Sequence, residues 1–203
     1  MKHTEREVVH GCCVKNPDHC VPLLIQQNVD GSYFFNRSWV EYKAGFNDSD
    51  GNLWIGNDIL NTLTQTGRYQ LRIDMQTRDT GRWNYAEYST FVVLGEAYNY
   101  KLRVSGYSGS TGYDALGTHD GMMFTTYDRD NDPWLNRRYG NNCAVANGGG
   151  FWWASYLGYC GSCDLNAARG GAEDFSWDLH RGQIKLQTSR MWLQCKTPTV
   201  HEH

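Results

Sequence analysis

HDGMMFTTYDRDND, residues 119–132, ends in three aspartates at alternate positions, Asp128, Asp130 and Asp132, in a chain otherwise close to charge balance. Carboxylates two residues apart are how a tight loop presents hard oxygen ligands to a cation such as Ca²⁺. The string also copies the first five positions of an EF-hand loop. The sixth position, which must turn on glycine, is Pro133, and the twelfth, which must be a bidentate glutamate, is Tyr139. An EF-hand is therefore excluded. Aspartate and asparagine also build ordinary solvated turns, so the string alone leaves both a turn and a metal loop open. Around it stand a glycine-rich stretch, Cys143, the aromatic run at 151–153 and Cys160. A lobe this poor in regular structure calls for the constraint that a cation and a disulfide supply.

At 203 residues the chain is long enough for one domain with a real core. With 19 basic against 22 acidic residues and a net charge of -3, it has no dense Lys/Arg cluster to track a phosphate backbone, which argues against nucleic acid. No apolar run is long enough to span a bilayer. The opening MKHTEREVVH has no apolar signal core, so a secretory leader is expected to lie outside this chain. The seven cysteines, at 12, 13, 20, 143, 160, 163 and 195, point to disulfides and an oxidising, extracellular setting. Seven is odd, so at least one thiol stays free or pairs with another chain, which would make an oligomer. Sequons at Asn36 and Asn47 agree with a secreted glycoprotein.

Fourteen of the 22 glycines fall after position 105, which predicts a loop-rich second half. Before it, NDILNTLTQTG (57–67) predicts an amphipathic helix with Asn57 as its cap, Ile59, Leu60 and Leu63 on one face and Gly67 as its stop. A shorter helix is predicted over 38–44, capped by Ser38, with Trp39, Val40 and Lys43 at helical spacing. Strands are predicted over 69–75, 90–95 and 100–107, and QIKLQT and MWLQC read as a closing pair of strands. Helices and strands that are segregated along the chain indicate an α+β fold.

The remaining constellations have bland explanations. Cys160 and Cys163 form CxxC without the helix start of a redox pair or the second pair of a zinc site. One of them is expected in a structural disulfide and the other paired elsewhere, with the connectivity open from sequence. His119 and His180 adjoin carboxylates in sequence but have no matching nucleophile, which makes them structural or surface residues. Trp152 and Trp153 could stack on a sugar, but fit a core better. The terminal HEH reads as a tail.

Taken in order, DGSYFFNRSWVEYKAGF, GNLWIGNDILNTLT, YQLRIDM, YAEYSTFVV, HDGMMFTTYDRDND, CA, WW and C..CDLN resemble the fibrinogen C-terminal globular domain, the module of fibrinogens, ficolins, tachylectins, tenascins and angiopoietins. The resemblance divides the chain into a divergent cysteine-bearing segment at 1–21, in which the family's first subdomain is expected to be truncated, the domain proper at 22–196, and a tail at 197–203. It implies an α+β fold with a mixed central sheet beside a loop-rich lobe that carries a Ca²⁺ site and a ligand pocket. Carried over residue by residue, Asp130, Asp132 and the Trp134 carbonyl would be Ca²⁺ ligands, Asp128 would support them, and Cys143 would pair with Cys160. The segment PWLNRRYGNN before Cys143 is longer than the family's spacing, so no later carbonyl ligand is assigned.

Ligand-pocket positions of the resemblance fall on Asn147, Tyr159, Gly161 and Ala172. Gly161 stands where acetyl-binding members have histidine after a cis peptide bond, and the expected aromatics are missing near Asn147 and Gly171. The resemblance implies a secreted, non-enzymatic recognition protein of innate immunity. It would bind glycans or acetylated ligands in a calcium-dependent, lectin-like manner. The alternative it leaves open is a receptor-binding or matrix ligand of angiopoietin or tenascin type, since angiopoietin-like ligands also carry glycine here. Cys163 and Cys195 are unusual for the family and could pair with Cys12, Cys13 or Cys20.

Overall fold

A computed structural model describes residues 21–196. Eight strands run β1 Leu23–Asn28, β2 Phe46–Asn47, β3 Leu53–Trp54, β4 Tyr69–Thr77, β5 Trp83–Val93, β6 Leu102–Gly109, β7 Ser176–Asp178 and β8 Gln183–Cys195. Their order across the sheet is β2-β3-β1-β8-β4-β5-β6, with β7 paired to the start of β8. The fold class is α+β, but among the described residues the sheet is not mixed: every pairing there is antiparallel. Direction alternates because β4, β5 and β6 follow one another through tight connections. The last strand returns antiparallel between β1 and β4.

The segments QIKLQT and MWLQC are not a pair but one strand, β8. The intervening Ser189 and Arg190 resemble a turn in composition, yet both pair on either side, with Asn28 and Met75 and with Gln27 and Asp74. Paired along both edges, β8 is the spine of the sheet. Strand β4 alternates strictly, burying Tyr69, Leu71, Ile73, Met75 and Thr77. Strand β5 begins at Trp83, seven residues before the predicted start at Thr90, because its first half hydrogen-bonds to β4.

Helix α1, Trp39–Ala44, is held by a capping box: Ser38 Oγ accepts from Glu41 N while Glu41 Oε2 accepts from Ser38 N at 2.9 Å. It buries Trp39 and Tyr42, whereas Val40 points to solvent. Helix α2, Asn57–Thr64, starts one residue earlier than predicted, with Gly56 rather than Asn57 as its cap. Asn57 is the first helical residue, and its Oδ1 accepts the buried Trp54 indole N–H at 3.1 Å. Helix α3, Cys143–Asn147, was not anticipated; Asn142 caps it through Val145 N. Trp152 and Trp153 are fully buried, their indoles donating to Tyr100 O and Gly149 O.

Buried amides fasten the loop-rich lobe to the sheet. Gln26 on β1 donates to Leu165 O and Asn166 Oδ1, Asn28 donates to Leu165 O, and Asn166 donates to Gly150 O at 2.8 Å. Buried polar groups satisfied in this way fix one register between layers.

Candidate functional site

The acidic string forms a loop tied into the domain by its own carboxylates. Asp128 Oδ1 accepts from Trp39 N at 2.9 Å and from the Thr126 hydroxyl, so this side chain locks the loop to the start of α1. Asp132 Oδ1 accepts from Trp134 N, and Oδ2 accepts from Cys143 N, both at 3.0 Å. Asp130 Oδ1 lies 3.3 Å from Asp132 N. Neither Asp130 nor Asp132 has a basic ion-pair partner among the described residues. Burial pushes the Asp132 carboxyl up to about 7, and the neighbouring Asp130 carboxylate adds to this.

The donor set on this loop, two carboxylates and peptide carbonyls, is all hard oxygen, and each carboxylate oxygen keeps a lone pair beyond its N–H bond. The residues present therefore fit a hard cation. No cluster of three or more His, Cys, Asp or Glu side chains is placed to hold a metal among the described residues. A cation here would therefore have to draw on backbone carbonyls as well as Asp130 and Asp132.

Cys143 and Cys160 are disulfide-bonded, with Cα atoms 5.7 Å apart. Cys163 is not paired elsewhere: it is a free, buried thiol, pushed above its ordinary pKa by burial. Cys195 is disulfide-bonded. Cysteines 12, 13 and 20, and the HEH tail, lie outside the described residues.

Around Cys160 in the chain, Tyr159 and Gly161 line a pocket of about 400 Å³, together with Ala172, Glu173, Asp178, Gly182, Gln183 and Lys185. Asn147 does not line it. It is buried behind the wall, where its Oδ1 accepts from Glu173 N at 3.0 Å. Cys160 N donates to Glu173 Oε1 at 2.6 Å, so the disulfide, α3 and the pocket wall are hydrogen-bonded into one unit. Burial raises the Glu173, Asp178 and fully buried Asp164 carboxyls above their ordinary values. Sequence reasoning missed Glu173, Asp178, Gln183 and Lys185 because the β7–β8 hairpin brings the last three to Gly161, and bonds to Cys160 and Asn147 bring Glu173. Only the position of Ala172 beside Glu173 could have pointed there.

Gly161 has a defined steric reason. Its φ is +139°, and a Cβ there would lie 2.1 Å from the His119 ring. His119 is fully buried. Its Nδ1 donates to Trp152 O at 2.8 Å, and Nε2 accepts from Ser162 N and Cys163 N at 3.1 and 3.2 Å. Two N–H donors facing Nε2 require the neutral ring, and burial lowers its pKa to about 4. His119 is thus a strut of the pocket floor, and His180 is exposed. Sequon residues Asn36 and Asn47 are both exposed.

Over residues 3–194 the chain matches the family described as fibrinogen beta and gamma chains, C-terminal globular domain. The chain belongs to the fibrinogen C-terminal domain family. The fibrinogen-like globe domain of human ANGPTL2 superposes with a TM-score of 0.76 at 31% identity, covering 92% of this chain and 85% of that one. Human ficolin-3 is 40% identical over 133 residues, 66% of this chain and 42% of that protein. Tenascin of Gallus gallus is 35% identical over 173 residues, 84% of this chain and 9% of that protein. The fibrinogen-type domain therefore spans less than half the length of these curated relatives. The family is one of binding modules, and among the described residues no helix is long and apolar enough to cross a membrane.

Proposed function

We propose that this domain is a secreted, non-enzymatic recognition module of innate immunity that binds glycans in the pocket at Tyr159, Gly161 and Ala172, in a lobe ordered by Ca²⁺. The observation that carries the proposal is the pocket of about 400 Å³ lined from either side of Cys160, of whose lining Tyr159, Gly161 and Ala172, though not Asn147, were ligand positions implied by the resemblance. Glu173, Asp178, Gln183 and Lys185 offer acceptors and donors to sugar hydroxyls, and Tyr159 offers a ring face. Carboxylate walls suit hydroxyl or amino groups better than an acetyl methyl, so the preferred ligand is a polar sugar. Asp130, Asp132 and the Trp134 carbonyl would hold the cation, with Asp128 behind them. Bound there, Ca²⁺ would supply a fixed charge that cross-links the loop ahead of α3. Exposed Asn36 and Asn47 are proposed carbohydrate-attachment sites.

The second reading is a receptor-binding ligand, which Gly161 favours because it removes the side chain that would close an acetyl pocket. A glycan array probed with the intact chain in calcium and in chelator separates the two. Retention in calcium, lost in E173Q, supports the glycan site; no retention on any glycan in either buffer overturns it and leaves the receptor ligand. Calorimetric titration with CaCl₂ tests the cation independently: D130N and D132N are expected to abolish the binding heat, and equal heats from the variants would refute these ligands.

A further inference from the structure

Beyond the proposed glycan pocket, the same lobe carries a surface of different chemistry. Leu135 and Leu157 are the two most exposed large apolar side chains of the described residues, at 85% and 81%. They sit on separate loops that are joined one residue away from each, where Trp134 Nε1 donates to Gly158 O at 2.8 Å. Exposed Tyr156 and Tyr159 flank Leu157 and close its turn by pairing with each other.

That turn places Leu157 at φ +50° and Gly158 at φ +86°. A two-residue turn with both central residues left-handed is suited to Asn-Gly, and leucine gains nothing from the conformation. Nor does it gain burial. An apolar side chain kept at a turn apex against both backbone preference and solvation marks a surface that acts outside the fold.

Charge indicates what meets it. Arg137 and Arg138 follow Leu135 in a short 3-10 turn, exposed and without an ion-pair partner among the described residues. Arg138 also borders the cleft of about 480 Å³ that Asp128 and Asp130 line, which leaves Arg137 the less opposed of the two. Exposed leucines on two joined loops, exposed tyrosines on either side of one and exposed arginines following the other combine the apolar, aromatic and cationic side chains that a membrane interface takes up.

We propose that this tip docks on an anionic lipid surface, Leu135 and Leu157 entering the headgroup–acyl boundary while Arg137 and Arg138 pair with lipid phosphates. The test is co-sedimentation of the intact chain with phosphatidylcholine vesicles, with and without phosphatidylserine, in calcium and in chelator. Binding to the phosphatidylserine vesicles is expected, weakened roughly tenfold or more in L135Q/L157N. Because asparagine tolerates the left-handed turn, that variant is expected to melt no lower than the wild type, so the loss cannot come from unfolding. R137Q/R138Q is expected to lose the preference for phosphatidylserine.

No binding to anionic vesicles in either buffer, or equal binding by L135Q/L157N, overturns the proposal. So does equal wild-type binding to neutral vesicles. A concentration-dependent dimer that L135Q/L157N abolishes would assign the tip to a second copy of the chain and likewise overturn lipid docking.

Discussion

Acidification should strip stability from this domain through His119, a side chain that touches no ligand. In the native state its Nε2 accepts two backbone N–H groups, from Ser162 and Cys163, and the side chain is fully buried. Protonating Nε2 turns an acceptor into a donor facing two donors. Burial lowers the native pKa from 6.5 to about 4. A base with a depressed native pKa binds protons first in the unfolded chain, so its contribution is whole above pH 6.5 and is lost as pH falls toward 4. That difference corresponds to about 3 kcal/mol, a large part of the stability of an ordinary domain.

Urea denaturation of the oxidised protein at several pH values between 7.5 and 4, in parallel with His119→Gln, isolates this share from that of other titrating groups. Glutamine can donate to Trp152 O and accept from the loop but cannot titrate. Imperfect geometry is expected to cost the variant about 1–2 kcal/mol at pH 7.5. Below pH 6.5 the gap between the two proteins should close, and by pH 4 the variant should be at least as stable. Parallel curves for the two proteins would refute the neutral-acceptor role of His119.

Two further outcomes rest on single positions. Gly161→Ala, whose Cβ would lie 2.1 Å from the His119 ring at a φ of +139°, is expected to destabilise by about 2–3 kcal/mol in the same denaturation assay. A cost below about 0.5 kcal/mol would mean that the pocket floor is not packed against His119. Ser38→Ala removes one half of the capping box of α1 and is expected to cost about 1 kcal/mol, with a matching drop in melting temperature.

Much of the framework is legible locally. Strict alternation in β4 can bury only one face, and Ser38 followed by Glu41 encodes a helix start within four residues. The cysteines and the aspartate string marked the lobe, and the order of short motifs marked the fold. Where local signals misled, a distant partner had overridden them. Ser189 and Arg190 look like a break but are strand because β1 and β4 flank them. Asn57 looks like a cap but is drawn into the helix, its amide accepting from Trp54.

By itself the sequence determined the α+β class and the acidic string, which residue type and short-range spacing carry; the Cys143–Cys160 pairing and the ligand positions around Gly161 came only through the family resemblance. Only the tertiary structure decided that every strand pairing among the described residues is antiparallel, that Glu173, Asp178, Gln183 and Lys185 wall the pocket, and that His119 supports its floor from 43 residues away. It also decided that Leu135 and Leu157 share one tip. Those are meetings between segments far apart in the chain, set by sheet register and buried hydrogen bonds, and spacing along the sequence carries no record of them.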